Sequence, residues 1–283
     1  AQRGIIHLSK AQQAWLTIFF AFGTVHMTLA PHGNIWFTSQ LIGMGMVLLT
    51  YLAALKLTGW KAYLAAGACI AAAMSTRYPL ILAGIWPAWY LLNNTRKDQP
   101  GKLVRKILVG LLPLLLAGGL IGWYNYSRFG NPFDYGYAYH NMGQLFRADY
   151  EQYGPFNLHY LPINFYYQYL YYPFPISEKT LMGGSLFLLS PLFFGGLWAL
   201  WQDRRNVSTW IMLLTISAVN IPILLLMGTG WMQFGPRYTL DFSIPLLLLT
   251  AIGIRKLSIT SIGLLTFISI LQYLVGAILL QNL

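Results

Sequence analysis

The chain has 283 residues, of which 57% are hydrophobic and only 9% are charged, and its mean hydropathy is +0.53. Apolar stretches of about 20 residues recur along it, which is the length needed to cross the hydrocarbon core of a membrane. This composition excludes a single soluble core. The net charge of +11 does not indicate nucleic-acid binding, because 13 of the 18 Lys and Arg residues fall in short connectors between apolar stretches.

The apolar stretches predict an all-α fold, a polytopic transmembrane helical bundle of about eight membrane segments, two of them short. We expect residues 1–283 to form a single transmembrane domain. In chain order the apolar stretches are 14–30, 35–55, 62–74, 80–92, 107–123, 181–201, 207–227, 239–254 and 258–280.

The two short pieces, 62–74 and 80–92, are separated by a turn that contains Arg77. Each piece rises only about 20 Å, against a hydrocarbon core of about 30 Å. We therefore predict a hairpin at Arg77 rather than one continuous span. With this hairpin, the 13 bases of the connectors share one side of the membrane, as the positive-inside rule expects.

The other side of the membrane then receives residues 124–180, an extended outer segment with 13 of the 19 tyrosines. Its aromatic side chains suit either an interfacial belt at the lipid headgroups or the faces of a bound sugar. Five of the seven acids of the chain also fall on this side, namely Asp134, Asp149, Glu151, Glu178 and Asp241. We call residues 124–180 the outer segment.

Three arginines lie in turns rich in Gly, Pro and aromatic residues: Arg77 in Ser-Thr-Arg-Tyr-Pro, Arg128 in Tyr-Ser-Arg-Phe-Gly and Arg237 in Gly-Pro-Arg-Tyr. A single arginine at a membrane boundary usually snorkels to lipid headgroups. Three arginines in such turns favour an anionic partner, a phosphate or carboxylate on a ligand. Arg237 also opens the next predicted helix, where the helix dipole favours an anion.

The chain offers little sign of a cofactor. Asp149 and Glu151 have a spacing that could hold a divalent cation through carboxylate oxygens, but a three-residue match is weak. No phosphate-binding loop, dinucleotide fingerprint or metalloprotease motif occurs in the sequence. We therefore expect no nucleotide cofactor, and a divalent cation stays open.

Four short motifs together resemble the bacterial GT-C glycosyltransferases, the dolichyl-phosphate-mannose mannosyltransferase-like and aminoarabinose-transferase-like group. They are Trp36-Phe37, Ser75 to Pro79, Asn125 with Arg128 to Pro132 and Gly136-Tyr137, and Phe234 to Tyr238. The resemblance spans most of the chain. It implies transfer of a sugar from a polyprenyl-phosphate donor to a glycan, lipid or protein acceptor, on the periplasmic or exterior face of a bacterial inner membrane.

In that family the main catalytic acid lies in the first outer loop, after the first transmembrane helix. The sequence from Ala1 has no matching acidic loop, so we expect an N-terminal part of the protein to lie upstream. Among the acids that are present, Asp134 is the best candidate for the catalytic base.

The residues and the resemblance together predict one site. We expect Arg77, Arg128 and Arg237 to hold the lipid phosphate, and the pocket to be shaped by Tyr78, Tyr124, Asn125, Tyr137 and Tyr238. Two alternatives remain. In a transporter or flippase for a lipid-linked anionic glycan the same arginines would bind but no bond would break, and in a non-catalytic membrane subunit they would be structural.

Overall fold

A computed structural model describes residues 6–136, 139, 143–175, 182–228 and 233–280 of the chain. Its α-helices are α1 Lys10–Phe22, α2 His26–Leu29, α3 Ile35–Lys56, α4 Gly59–Thr76, α5 Ile85–Thr95, α6 Pro100–Phe129, α7 Gln144–Tyr153, α8 Leu161–Phe165, α9 Leu186–Leu189, α10 Phe194–Gln202, α11 Val207–Leu225, α12 Ser243–Ile254 and α13 Ile259–Leu280. Shorter pieces are the 3-10 helices Tyr78–Gly84, Leu158–Tyr160, Pro191–Phe193 and Arg237–Phe242, and the π-helix Tyr166–Leu170.

The predicted all-α class is confirmed for the described residues, where the only sheet is a two-residue parallel ladder between β1 Met182–Gly183 and β2 Gln233–Phe234. Five described helical units are long and apolar enough to cross a membrane: α3, α6, α11, Arg237–Ile254 and α13. The chain is thus a helical protein suited to a membrane, and the predicted count of about eight segments is not confirmed.

Two predicted segments differ from the observed helices. The stretch 14–30 divides because α1 ends at Phe22 and Gly23 caps it, after which only the short α2 follows. The stretch 181–201 divides because Gly183 and Gly184 adopt positive φ angles of 98° and 155°, and Pro191 then starts a new 3-10 turn. Glycine and proline interrupt the helix here although the hydropathy is continuous.

The predicted hairpin at Arg77 is confirmed. The Tyr63 hydroxyl lies 2.6 Å from the Thr95 hydroxyl, which joins the start of α4 to the end of α5. Closer to the turn, a Cβ atom on Gly84 would lie 3.0 Å from the Ile70 side chain. The chain therefore runs out along α4, turns at Arg77 and returns along the 3-10 helix and α5.

Two pairs of helices meet backbone to backbone through glycine. A Cβ atom on Gly67 of α4 would lie 2.0 Å from the Gly110 carbonyl oxygen of α6. Similarly, a Cβ atom on Gly253 of α12 would lie 1.8 Å from the Gly195 carbonyl oxygen of α10. Small residues at such crossings replace side-chain contacts with close backbone packing, as is common between membrane helices.

Side-chain hydrogen bonds tie helix ends together at both ends of α11. Near its start, beside the connectors 203–206 and 255–258, Gln202 Nε2 donates to the Gly253 carbonyl at 3.0 Å. At the other end, Asn164 of the outer segment donates through Nδ2 to the carbonyls of Leu224 and Leu226, at 2.9 and 2.8 Å. The outer segment is thus fastened to the last turn of α11, whose first turn follows the connector 203–206.

This arrangement predicts opposite labelling of two single cysteines. Gly143 precedes the helix α7 of the outer segment and Arg204 lies in the connector before α11, and both are exposed. In a Cys69→Ala background, Gly143→Cys and Arg204→Cys should therefore react oppositely with a membrane-impermeant thiol reagent in intact cells. Permeabilised cells, where both should react, are the control. Equal labelling of both cysteines in intact cells would contradict the arrangement.

Candidate anion-binding site

The most buried ion pair among the described residues joins the Arg77 turn to the 3-10 helix that begins at Arg237. Arg77 donates to Oδ2 of Asp241 through Nη2 at 3.0 Å and through Nε at 3.1 Å. Asp241 is only 1% exposed, whereas the Arg77 side chain keeps 19% of its surface. A carboxylate buried this deeply needs a charged partner, because desolvation of an unpaired charge is costly.

Local sequence places Arg77 in this position. Helix α4 ends at Thr76, and Arg77 is extended at φ −153° and ψ 116°. Pro79 lies in the first turn of the next 3-10 helix and cannot continue α4. The turn therefore leaves the Arg77 side chain at the tip of the hairpin.

Asp241 and Arg237 are placed by the short 3-10 helix Arg237–Phe242. Gly235, at φ 87°, turns the chain after β2, and its N–H points to the Gly183 carbonyl of β1 at 3.4 Å. A Cβ atom on Gly235 would lie 2.8 Å from the Tyr273 ring. Glycine is required here both by the positive φ angle and by this close approach.

Arg237 shares the Tyr238 ring with Arg77 but has no carboxylate of its own. The Cζ atoms of Arg77 and Arg237 lie 4.9 and 4.7 Å from the centre of this ring. Arg237 Nη2 donates to the Tyr238 hydroxyl at 3.0 Å, and its Cζ lies 5.7 Å from the Phe37 ring centre. Arg237 forms no ion pair with any carboxylate that the structure describes, and its buried Nε has no hydrogen-bond partner there.

Gln40 of α3 completes the group. Its side chain is fully buried and lies close enough to the Asp241 carboxylate to interact with it as a donor, but neither amide atom makes a hydrogen bond of good geometry to a described residue. Asp241 Oδ1 likewise has no described partner. We call Gln40, Arg77, Arg237, Tyr238 and Asp241 the arginine cluster. Its two guanidinium groups and one carboxylate carry a net charge of +1, so the cluster has an unneutralised positive charge.

The structure does not place Arg128 in the arginine cluster. Arg128 is exposed in the last turn of α6, and its Nη1 donates to the Tyr124 hydroxyl at 2.9 Å. Its Cζ lies 5.1 Å from the Tyr124 ring centre and 4.8 Å from that of Phe129. A cation at a helix C-terminus is stabilised by the helix dipole, so Arg128 has a local role that needs no ligand.

Of the other predicted pocket residues, Tyr78 follows Arg77 directly and Asn125 lies near the end of α6 with Arg128. Tyr78 packs on Tyr135 with ring centres 4.5 Å apart, and so connects the Arg77 turn with the outer segment. Asn125 is 2% exposed and donates to the Pro132 carbonyl at 3.2 Å, which holds the turn after α6. Tyr137 lies outside the described residues.

Asp134, the predicted base, caps a turn. Its Oδ1 accepts a hydrogen bond from the Gly136 N–H at 2.8 Å, and its own N–H donates to the Asn131 carbonyl at 3.2 Å. It forms no ion pair with a described residue. Its second carboxylate oxygen accepts none of the hydrogen bonds made between described residues, so this oxygen can accept a hydrogen bond from a ligand.

An apolar cavity of about 550 Å³ lies beyond the 3-10 helix that carries Arg237 and Asp241. The last residue of that helix, Phe242, lines it, and so does Asn220 of α11. The Asn220 side chain accepts a hydrogen bond from Gln168 at 2.7 Å. Burial raises the pKa of the Tyr169 phenol to about 12, so this group stays protonated. The aromatic lining residues are Phe165, Tyr169, Phe187, Phe194 and Phe242.

Two members of the cluster are not predicted from the sequence. Asp241 is one of the five outer acids, but nothing in the sequence pairs it with Arg77, 164 residues away. For Gln40 the sequence does hold a signal, since a polar amide within the apolar stretch 35–55 indicates a buried polar site. No protein-family model, curated protein or solved structure matches the chain, so the function has to be argued from this geometry.

The ion pair should contribute strongly to stability. Asp241→Asn leaves Arg77 without its partner and should lower the free energy of unfolding by about 3 kcal/mol, as when one half of a buried ion pair is removed. Arg77→Gln in the same chain should restore part of this loss, because no unpaired charge then remains. The measurement is unfolding of the purified protein in detergent micelles.

The matched control for these two substitutions is Asp98→Asn, which breaks the more exposed ion pair of Asp98 with Lys106. Surface pairs contribute little, so this change should stay within about 0.5 kcal/mol. Strictly additive losses for Asp241→Asn and Arg77→Gln would contradict the interpretation of the two groups as one ion pair.

Proposed function

We propose that the chain is a membrane glycosyltransferase that takes a sugar from a polyprenyl-phosphate donor, and that Arg237 binds the phosphate of this donor. The observation that carries the proposal is that Arg237 forms no ion pair with any carboxylate that the structure describes. A guanidinium offers a planar fork that matches phosphate oxygens in a bidentate way. Arg77, neutralised by Asp241, contributes to the local field and positions the Tyr238 ring.

The apolar cavity supports a ligand with a lipid chain. The 3-10 helix Arg237–Phe242 carries the unpaired guanidinium at its start and a wall residue of the cavity at its end. Its six residues span about 12 Å at the rise of a 3-10 helix. This distance is shorter than a polyprenyl chain. One donor molecule could therefore place its phosphate at Arg237 and its lipid chain along the apolar cavity.

Chemistry at the donor requires a base for the acceptor and stabilisation of the departing lipid phosphate. Arg237 supplies the positive charge for the phosphate. Asp134 is the proposed base that takes the proton from the acceptor hydroxyl, as that oxygen bonds to the sugar and the bond from the sugar to the phosphate breaks. The acceptor is a glycan, lipid or protein that reaches this end of the bundle.

We place this end of the bundle on the periplasmic or exterior side of a bacterial inner membrane. The support is the distribution of 13 bases in the connectors at the opposite end, which the positive-inside rule assigns to the cytoplasm. In the labelling experiment above, Gly143→Cys is therefore the variant that should react in intact cells.

The phosphate site is tested by conservative replacement of arginine. Arg237→Lys keeps the charge but loses the planar fork, and should weaken binding of farnesyl phosphate by roughly tenfold or more, since hydrogen bonds to charged groups contribute about 1.5–3 kcal/mol. The measurement is equilibrium binding to the purified protein in lipid nanodiscs. Arg128→Lys is the matched control and should bind within about twofold of the unchanged protein, because the local role of Arg128 requires only a cation.

The outcome that contradicts the phosphate site is unchanged affinity in Arg237→Lys, or equal losses in both variants. Equal losses would indicate a general effect of interfacial charge rather than a site at Arg237.

The base is tested by Asp134→Asn. If Asp134 takes the acceptor proton, this change should lower sugar transfer from a polyprenyl-phosphate donor by roughly 10²–10⁴-fold and leave donor binding unchanged. Transfer that persists in Asp134→Asn would assign the base to another carboxylate. Donor binding without any transfer by the unchanged protein, together with movement of the lipid across vesicle membranes, would favour a flippase.

A further inference from the structure

The arginine cluster contains a concentration of polar atoms that the chain itself does not satisfy. Eight buried side-chain nitrogen or oxygen atoms in the described residues have no hydrogen-bond partner, and four of them belong to this one cluster. They are both amide atoms of Gln40, Oδ1 of Asp241 and Nε of Arg237. A buried polar atom without a well-placed partner is unfavourable, so a shared partner at this place would stabilise the cluster.

We propose that Gln40, Asp241 and Arg237 bind a hydroxyl group of the sugar carried by the lipid phosphate. A hydroxyl group donates one hydrogen bond and accepts two. Asp241 Oδ1 can accept the hydroxyl proton, while Gln40 Nε2 and Arg237 Nε can both donate to the hydroxyl oxygen. The inference rests on the proposed function, because it places the sugar hydroxyl next to the phosphate that Arg237 binds.

The three residues are held close together by their elements. Gln40 lies beside the Asp241 carboxylate, and Phe37, one turn earlier in α3, faces the Arg237 guanidinium at 5.7 Å. Asp241 follows Arg237 by four residues in the same helical unit, Arg237–Ile254. The cluster therefore joins one face of α3 to one end of this unit.

The surroundings favour a sugar hydroxyl over other small groups. Two arginines disfavour a metal cation in this position, because their charge opposes it. The Phe37 and Tyr238 rings border the cluster, and the Arg237 guanidinium lies against both of them. The four atoms are covered in this structure, so entry requires the partly exposed side chains of Arg77 and Arg237 to shift. A water molecule could satisfy the same atoms, and the experiment below separates it from a sugar.

The test compares two types of ligand, without and with a sugar on the lipid phosphate. Farnesyl phosphate carries the phosphate alone, whereas the farnesyl phosphohexoses of glucose, mannose and galactose carry a sugar on the same phosphate. The unchanged protein should bind at least one phosphohexose roughly tenfold more tightly than farnesyl phosphate, as expected for hydrogen bonds to a charged group and an amide. Gln40→Met, of similar shape but without the amide, should lose most of this gain and bind farnesyl phosphate as before.

Tyr51→Phe is the matched control. The Tyr51 hydroxyl is also buried without a described partner and lies on α3, but Tyr51 stacks on Trp86 at the opposite half of the helix. This change should leave the affinity for every ligand unchanged. Unfolding in detergent, measured in parallel, shows that both variants are folded, since each removes an unpaired polar group rather than a contact.

The outcomes separate the two proposals. If the unchanged protein binds neither type of ligand, the proposed function fails, and this inference fails with it. If it binds farnesyl phosphate but gains nothing from any of the three sugars, or if Gln40→Met binds all ligands as the unchanged protein does, the hydroxyl site is wrong and the cluster holds water only. Equal losses for both ligand types in Gln40→Met would also overturn the sugar assignment.

Discussion

The ion pair of Arg77 with Asp241 is the constraint on which the arrangement of the site depends. It connects residues 164 positions apart in the chain and joins the tip of the α4–α5 hairpin to the start of the unit Arg237–Ile254. Because the carboxylate is almost fully buried, the pair holds only while both elements stay in place. The hairpin, the ion pair and the position of Arg237 therefore depend on one another.

The three arginines that look equivalent in the sequence differ in how their charge is balanced. Arg77 is neutralised by a carboxylate, Arg128 is exposed at a helix C-terminus, and Arg237 keeps an unneutralised charge beside a shared aromatic ring. Of the three, only Arg237 combines a buried guanidinium nitrogen that has no described hydrogen-bond partner with the absence of an ion pair to a described carboxylate. This distinction, rather than the number of arginines, directs the proposal toward an anionic ligand.

The sequence predicted the features that depend on local chemistry. Hydropathy predicts the helical class. The two short apolar pieces around Arg77 predict the hairpin, although helix α4 is longer than its apolar piece and runs over Gly59–Thr76. Hydropathy does not predict the helix break at Gly183 and Gly184, because their positive φ angles interrupt a stretch that is apolar throughout. The pairing of Asp241 with Arg77 could not be predicted, because it depends on how distant helices pack and no local pattern records it.

The two glycine contacts each hold a pair of helices together. At Gly67 with Gly110 and at Gly195 with Gly253 the backbones touch, which fixes the distance between the paired helices at these points. Arg77 follows a helix of the first pair, and Asp241 precedes a helix of the second. The ion pair therefore ties two closely packed helix pairs to each other, and a change at either pair would be transmitted to the other through it.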